Sequence, residues 1–121
     1  MSLKVSQRFP KTARLRKRAE FLKLSRTGAK LQSANFVVII SANGRQENRL
    51  GVTVSAKVGN SVIRNRLKRR FREYFRRHRA ELPAASDILI IARASAAGLE
   101  GNTIASELAR TLAGHRRQRK L

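Results

Sequence analysis

Apolar positions fall into six runs along the chain, and their spacing sorts them into helices and strands. Ala19, Phe21, Leu22 and Leu24 predict a short helix over 18–27, with Gly28 as its stop. Residues 35–41, with Phe36-Val37-Val38-Ile39-Ile40 at their centre, form a continuous, largely β-branched apolar run bounded by polar residues, which predicts a strand. Residues 50–55 alternate apolar with small or polar side chains and predict a half-buried strand. Asn43-Gly44 marks a turn between the two, lengthened by Arg45 to Asn48, and the two strands are expected to pair antiparallel. Residues 61–79 carry Ile63, Leu67, Phe71, Tyr74 and His78 near one side of a helix, capped by Asn60 or Ser61, and Pro83 closes the segment. Residues 87–92 read as a third strand, apolar on both faces, and 102–116 as a last helix with Ile104, Leu108 and Leu112 in register. Residues 1–17, with Pro10, read as a flexible or loosely docked basic arm, and 117–121 as a basic tail that frays. The order helix, strand, strand, helix, strand, helix predicts one small α+β domain over 18–116, a sandwich of helices on a short sheet.

Charge changes the picture. The 121 residues include 28 Lys and Arg against 7 Asp and Glu, a formal net charge of +21. Self-repulsion on that scale points to an anionic partner, nucleic acid before lipid. An apolar fraction of 41% still supports a small core. The absence of cysteine excludes disulfides, thiolate metal sites and thiol nucleophiles. No secretory signal or membrane span is legible, so the expected location is the cytoplasm.

Catalytic chemistry is sparse. His78 falls on the inner side of the basic helix and is expected to be structural; His115, in a basic tail, is expected to be solvated. The acids Glu20, Glu47, Glu73, Glu81, Asp87, Glu100 and Glu107 are scattered, with no metal-ligand spacing and no phosphate-binding glycine loop nearby. Asp87 leads a strand, where a lone Asp is usually a turn or capping residue. A self-contained two-metal nuclease needs convergent carboxylates, which this chain does not show.

The basic helix is the strongest feature. Residues 61–79 hold nine Lys or Arg and one acid, Glu73. At ~100° per residue, Arg64, Asn65, Lys68, Arg69, Arg72 and Arg76 share one broad sector, with Arg66 and Arg70 flanking the apolar side. A solvated helix face usually mixes charge signs to form i,i+4 pairs. This face does not, and its guanidinium forks match phosphate oxygens. Asn65, donor and acceptor among the cations, is suited to a base edge or a 2′-hydroxyl.

The stretch Gly51-Val52-Thr53-Val54-Ser55-Ala56-Lys57-Val58-Gly59-Asn60-Ser61-Val62-Ile63-Arg64-Asn65-Arg66-Leu67-Lys68-Arg69-Arg70-Phe71-Arg72 resembles the signature of the bacterial ribonuclease P protein family, centred on Arg-Asn-Arg after a strand ending in Ser-x-Lys-x-Gly. Arg14-Leu15 followed by Phe21, and Asp87 to Arg93, extend the resemblance to roughly residues 14–112. It implies a compact α+β sandwich with a left-handed βαβ crossover, shared with some ribosomal proteins; right-handed crossovers are the default. It also implies a partner, the catalytic RNA of a ribonucleoprotein that matures the 5′ end of precursor tRNA. Hydrolysis and its Mg²⁺ then belong to the RNA, with no catalytic residue and no tightly bound cofactor in the protein. Carried over by position, Arg64, Asn65, Arg66, Lys68, Arg69 and Arg72 meet the catalytic RNA. A cleft between the first helix and the sheet, with Phe21, Ile39, Thr53, Lys57 and Arg93, holds the single-stranded 5′ leader. An aromatic such as Phe21 can stack on a base without choosing its identity. Ser25 and Ile39 stand where some relatives carry aromatics, and Ala56 where a basic residue is frequent.

The expected function is therefore that of a protein subunit of ribonuclease P, with no membrane and no obligate protein partner. A ribosomal or other structural RNA-binding protein is the alternative. A major-groove DNA reader is disfavoured because strands, and no helix-turn-helix, precede Ser61. Membrane binding is weakest, since the core needs the apolar face of the basic helix.

Overall fold

The computed structural model describes residues 13–15 and 18–120, with side chains described through His115. Its elements are α1 (Arg18–Thr27), β1 (Ala29–Gln32), β2 (Phe36–Ala42), β3 (Arg49–Thr53), α2 (Ser61–His78), β4 (Ser86–Ala92) and α3 (Gly101–Lys120), with 3₁₀ turns at Arg79–Glu81 and Ala94–Gly98. The strands form one sheet in the order β1-β2-β4-β3. β1 is antiparallel to β2 and β2 to β4, while β3 runs parallel to β4. α2 thus links two adjacent parallel strands, the βαβ unit of the sandwich.

The sequence-based pairing of 35–41 with 50–55 is corrected here. β4 lies between β2 and β3, and those two strands do not pair. The physical reason is burial. β4 is buried at every position but Ile91, and a strand apolar on both faces belongs in the middle of a sheet. β1 has no counterpart in the sequence pattern; Leu31 is the one buried residue of its four.

Side-chain alternation divides the core in two. Phe36, Val38, Ile40, Ile88 and Ile90 face α2 and α3, meeting Leu67, Phe71, Phe75, Ile104, Leu108 and Leu112. Phe36 meets Phe71 edge-on, with ring centroids 5.6 Å apart. Phe75, outside the expected apolar stripe, is among the deepest residues of α2, whereas Tyr74 is only partly buried. On the other sheet face a smaller cluster of Leu15, Leu24, Ile39 and Leu89 packs under α1 with Phe21.

Each end of the domain departs from expectation. Within the predicted arm, Ala13 and Leu15 are buried. The Leu15 amide donates to the Leu50 carbonyl (2.8 Å) and Arg14 bridges Leu50 in parallel register, so this piece of chain lines the β3 edge. The rest of the arm, residues 1–12 and 16–17, lies outside the described residues, as does Leu121. α3 continues to Lys120, past the expected boundary at 116. His115, expected in solvent, is buried, because it falls one turn after Leu112 on the face of α3 that carries Ile104 and Leu108.

Gly51 sets how closely α1 approaches. A Cβ there would stand 2.5 Å from Phe21 Cε1 and 3.1 Å from Leu15 Cβ. Gly51→Ala is expected to push the Phe21 ring outward and cost about 1–3 kcal/mol, the usual penalty for overpacking. A urea midpoint unchanged from the parent chain would show that the ring gives way without cost.

Candidate nucleic-acid interface

α2 begins where Asn60, in extended conformation, accepts the Ile63 amide on its side chain (3.0 Å). With its apolar stripe on the core, the helix turns its cations outward along both flanks. Asn65, Arg69, Arg72 and Arg76 line one flank, at i, i+4, i+7 and i+11. Together with Arg14 and Glu73 they bound a groove of ≈ 600 Å³. Glu73 is committed to Arg77 by an i,i+4 pair at 2.8 Å. Burial and then the charge of Arg14 lower the proton affinity of the Arg72 guanidinium.

The remaining predicted residues of the basic segment divide between that flank and the other. Arg66 reaches away from the groove toward the Ala97 carbonyl (3.4 Å). Lys68 and Arg64 are half-exposed, and the Arg64 Nε is buried without a hydrogen-bond partner. Arg70 turns toward α3, its guanidinium over Gly101. His78 stacks on Tyr74 with centroids 4.2 Å apart, and its Nδ1 lies 3.0 Å from the Tyr74 carbonyl, a packing role as expected.

The second surface lies on the opposite sheet face. Phe21 is half-buried: one ring edge packs on Gly51, and the side chain also lines a hollow of ≈ 350 Å³ with Arg18, Leu22, Ser25 and Thr53. Thr53 is exposed and begins a row that crosses the whole sheet through Ile91 and Val37 to Gln32. Lys57 and Arg93 are exposed just past the carboxyl ends of β3 and β4, at the same edge of the sheet. Arg93 donates to Gln32 Oε1. Phe21, Thr53 and Arg93 therefore share one side of the molecule, and Lys57 lies exposed in the turn that follows β3. Ile39 does not join them. It is 2% exposed beneath α1, where a Cβ on Gly28 would strike its Cγ2, and it serves as packing. Val37 and Ile91, half-exposed on that row, are surface residues that the sequence pattern hides. Both sit inside continuous apolar runs, where alternation gives no sign of which face is covered.

Several of the acids are used structurally. Asp87, expected as a turn or cap, receives Arg49 bidentately at 2.8 and 2.7 Å and Asn43 at 2.9 Å, and Arg49 also pairs with Glu20 of α1 at 2.8 Å. Glu107 of α3 accepts the Asn35 amide (2.9 Å), its side-chain NH₂ (2.7 Å) and the Ser33 hydroxyl, tying the β1–β2 turn to the helix. Among the described residues, no three His, Asp or Glu converge as a metal-binding group, and no helix is long and apolar enough to cross a membrane.

The family model for ribonuclease P matches residues 9–115. The chain belongs to the ribonuclease P protein family. A ribonuclease P protein component from Desulforapulum autotrophicum is 47% identical over 103 residues, 85% of this chain and 88% of that protein. One from Thermotoga maritima is 40% identical over 89 residues, 74% of this chain and 76% of its own. Among solved structures, the Thermotoga maritima RNase P protein superimposes with a TM-score of 0.76 at 37% identity, covering 82% of this chain and 94% of its own. A Staphylococcus aureus RNase P protein mutant with defective mRNA degradation activity gives 0.82 at 34% identity, covering 88% and 90%. The α+β sandwich is thus that of ribonuclease P proteins. Membership of the ribonuclease P family makes this chain the protein component of an endoribonuclease complex that includes an RNA subunit, and the ribosomal alternative is not favoured.

Proposed function

We propose that this subunit holds the catalytic RNA of ribonuclease P on the cationic side of α2 and the single-stranded 5′ leader of precursor tRNA on the opposite sheet face, and so supports maturation of the tRNA 5′ end. The observation that carries this reading is the separation of the two surfaces by the sheet itself. α2 and α3 cover one face, and α1 covers only part of the other. On the α2 side, Arg64, Arg66, Lys68, Arg69 and Arg72 neutralise phosphates of folded RNA, and Asn65 hydrogen-bonds a base edge or a 2′-hydroxyl among them. On the α1 side, Phe21 offers a ring, and Val37, Ile91 and Thr53 a shallow apolar floor, to unpaired nucleotides. Lys57 and Arg93 stand where the leader backbone passes. Hydrolysis and its Mg²⁺ are assigned to the RNA. Five of the seven acids are paired with Arg49, Arg77, Arg79 or the Ser33–Asn35 turn, and among the described residues no three His, Asp or Glu gather around a common point.

Reconstitution tests this. The protein mixed with a catalytic RNA at low Mg²⁺ is expected to restore 5′ cleavage of precursor tRNA. Phe21→Ala and Lys57→Ala are expected to leave assembly with the RNA unchanged. Both should reduce the preference for substrate with a leader over leaderless tRNA, Phe21→Ala by roughly 5- to 150-fold, the range for one unstacked base at ~1–3 kcal/mol. If these variants and those in the Arg-Asn-Arg segment weakened the same step, the two-surface arrangement would be wrong.

A further inference from the structure

The Arg-Asn-Arg pattern makes the RNA interface a single helix. The fold brings a second segment of chain to it. Asn65, Arg69, Arg72 and Arg76 form one stripe along α2, and the wall opposite that stripe is Arg14. Arg14 is held there by main chain: it bridges Leu50 on the β3 edge, and the next amide, that of Leu15, donates to the Leu50 carbonyl at 2.8 Å. Leu15 is buried in the cluster under α1, which fixes the segment from its other side.

Four guanidiniums therefore face a groove whose one carboxylate, Glu73, is paired with Arg77. The stripe from residue 65 to 76 extends about 16 Å at the ~1.5 Å rise of a helix, long enough to meet more than one phosphate. Such crowding of like charge is unfavourable in the free protein and is relieved by a polyanion. Arg72 stands close enough to Arg14 for that charge to add to burial in lowering its proton affinity. An acidic peptide would need carboxylates placed against a fixed two-sided row. A phosphodiester backbone supplies regularly spaced anions with oxygens that guanidinium forks match.

We propose that Arg14 and Arg76, with Asn65, Arg69 and Arg72, form a composite groove for the sugar–phosphate backbone of the catalytic RNA, which is thereby gripped between the segment before α1 and the flank of α2. This rests on α2 being the surface that meets the RNA. It adds two binding residues outside the Arg-Asn-Arg segment and makes the docking of residues 13–15 part of recognition.

The full-length protein is titrated with catalytic RNA across a series of salt concentrations. Each phosphate neutralised adds about 0.7–0.9 to the slope of log K against log[salt]. Arg14→Gln combined with Arg76→Gln is expected to lower that slope by about 1.5 and to weaken binding roughly tenfold at physiological salt. Arg14→Lys keeps the charge and is expected to keep the slope. Arg26→Gln, a cation on α1 removed from the groove, controls for loss of net charge and is expected to leave the slope unchanged. The side chain of Arg14 does not make the Leu50 pairing, so the fold is expected to survive, and a thermal melt checks it. Should Arg14→Gln unfold the chain, Arg76→Gln alone carries the test, with half the slope change. If Arg64→Gln and Arg66→Gln weaken binding while the Arg14/Arg76 variant keeps slope and affinity, the groove is overturned and the RNA surface of α2 stands. If neither pair has an effect, both fail. An equal loss with Arg26→Gln would reduce the effect to bulk charge and also overturn the groove.

Discussion

Replacing Arg64, Arg66 and Arg69 together by glutamate is expected to weaken binding of the catalytic RNA by roughly 10³-fold at about 0.15 M salt, and to lower the slope of log K against log[salt] by about 2–3. The slope falls because three phosphates are no longer neutralised. The larger loss of affinity follows from setting three anions against a polyanion. The fold is expected to tolerate the change. Arg66 and Arg69 are exposed, Arg64 is half-exposed, and the bond from Arg66 to the Ala97 carbonyl is long at 3.4 Å. Filter binding over a salt series, alongside a thermal melt of the free protein, checks both parts. Unchanged affinity and unchanged salt sensitivity would place the RNA elsewhere on the molecule.

The second large effect concerns stability. Asp87→Ala is expected to cost about 3–5 kcal/mol, because it leaves the Arg49 guanidinium with its bidentate partner gone; the two side chains are only 11% and 13% exposed. Against a total stability of ~5–15 kcal/mol, that lowers the melting temperature by about 10 °C or more. The same pair gives a pH dependence of known sign. Burial alone would raise the Asp87 carboxyl, but the hydrogen bonds from Arg49 and Asn43 and the nearby positive charge outweigh it, and the net shift is downward. A carboxylate with a depressed value in the folded state stabilises above its unfolded value of about 4, and that contribution is lost as pH falls through the folded value. Glu107 behaves alike, its burial outweighed by Ser33 and Asn35. The parent chain is therefore expected to lose stability progressively below about pH 4, and Asp87→Asn to flatten that limb in part while lowering stability at neutral pH. An acid limb identical in parent and variant would remove Asp87 from the account.

What is legible in the sequence follows from local pattern. α1 is bounded by its apolar residues and Gly28, and α2 by its Asn60 cap. The cationic flank follows from helical angle alone, and Asn65, Arg69, Arg72 and Arg76 do share a groove. The fold class and family follow from the Arg-Asn-Arg context. The long-range choices are not legible. β2 and β3 are neighbours in sequence, and only the two-sided burial of β4 places a third strand between them. Ile39 and Ile91 belong to equally apolar strands and point to the same sheet face. One is sealed by α1 and the other is left half-open, a difference set by where α1 ends. Asp87 looks like a capping residue because its partners, Arg49 and Asn43, come from distant segments. Arg14 looks like part of a loose arm because a two-residue pairing with β3 has no periodic signature.

The placement of β4 also bears on how the chain assembles as it is made. The strand in the middle of the sheet is the last to be synthesised, and Arg49 must wait for Asp87, 38 residues downstream, before it gains that partner. Until then β3 lacks its neighbouring strand in the sheet, and the edge of β2 that pairs with β4 has its backbone N–H and C=O groups unpaired. Closure of the sheet consequently comes late in biosynthesis, and the α2 side is complete only when α3, made later still, brings Ile104, Leu108 and Leu112 onto it.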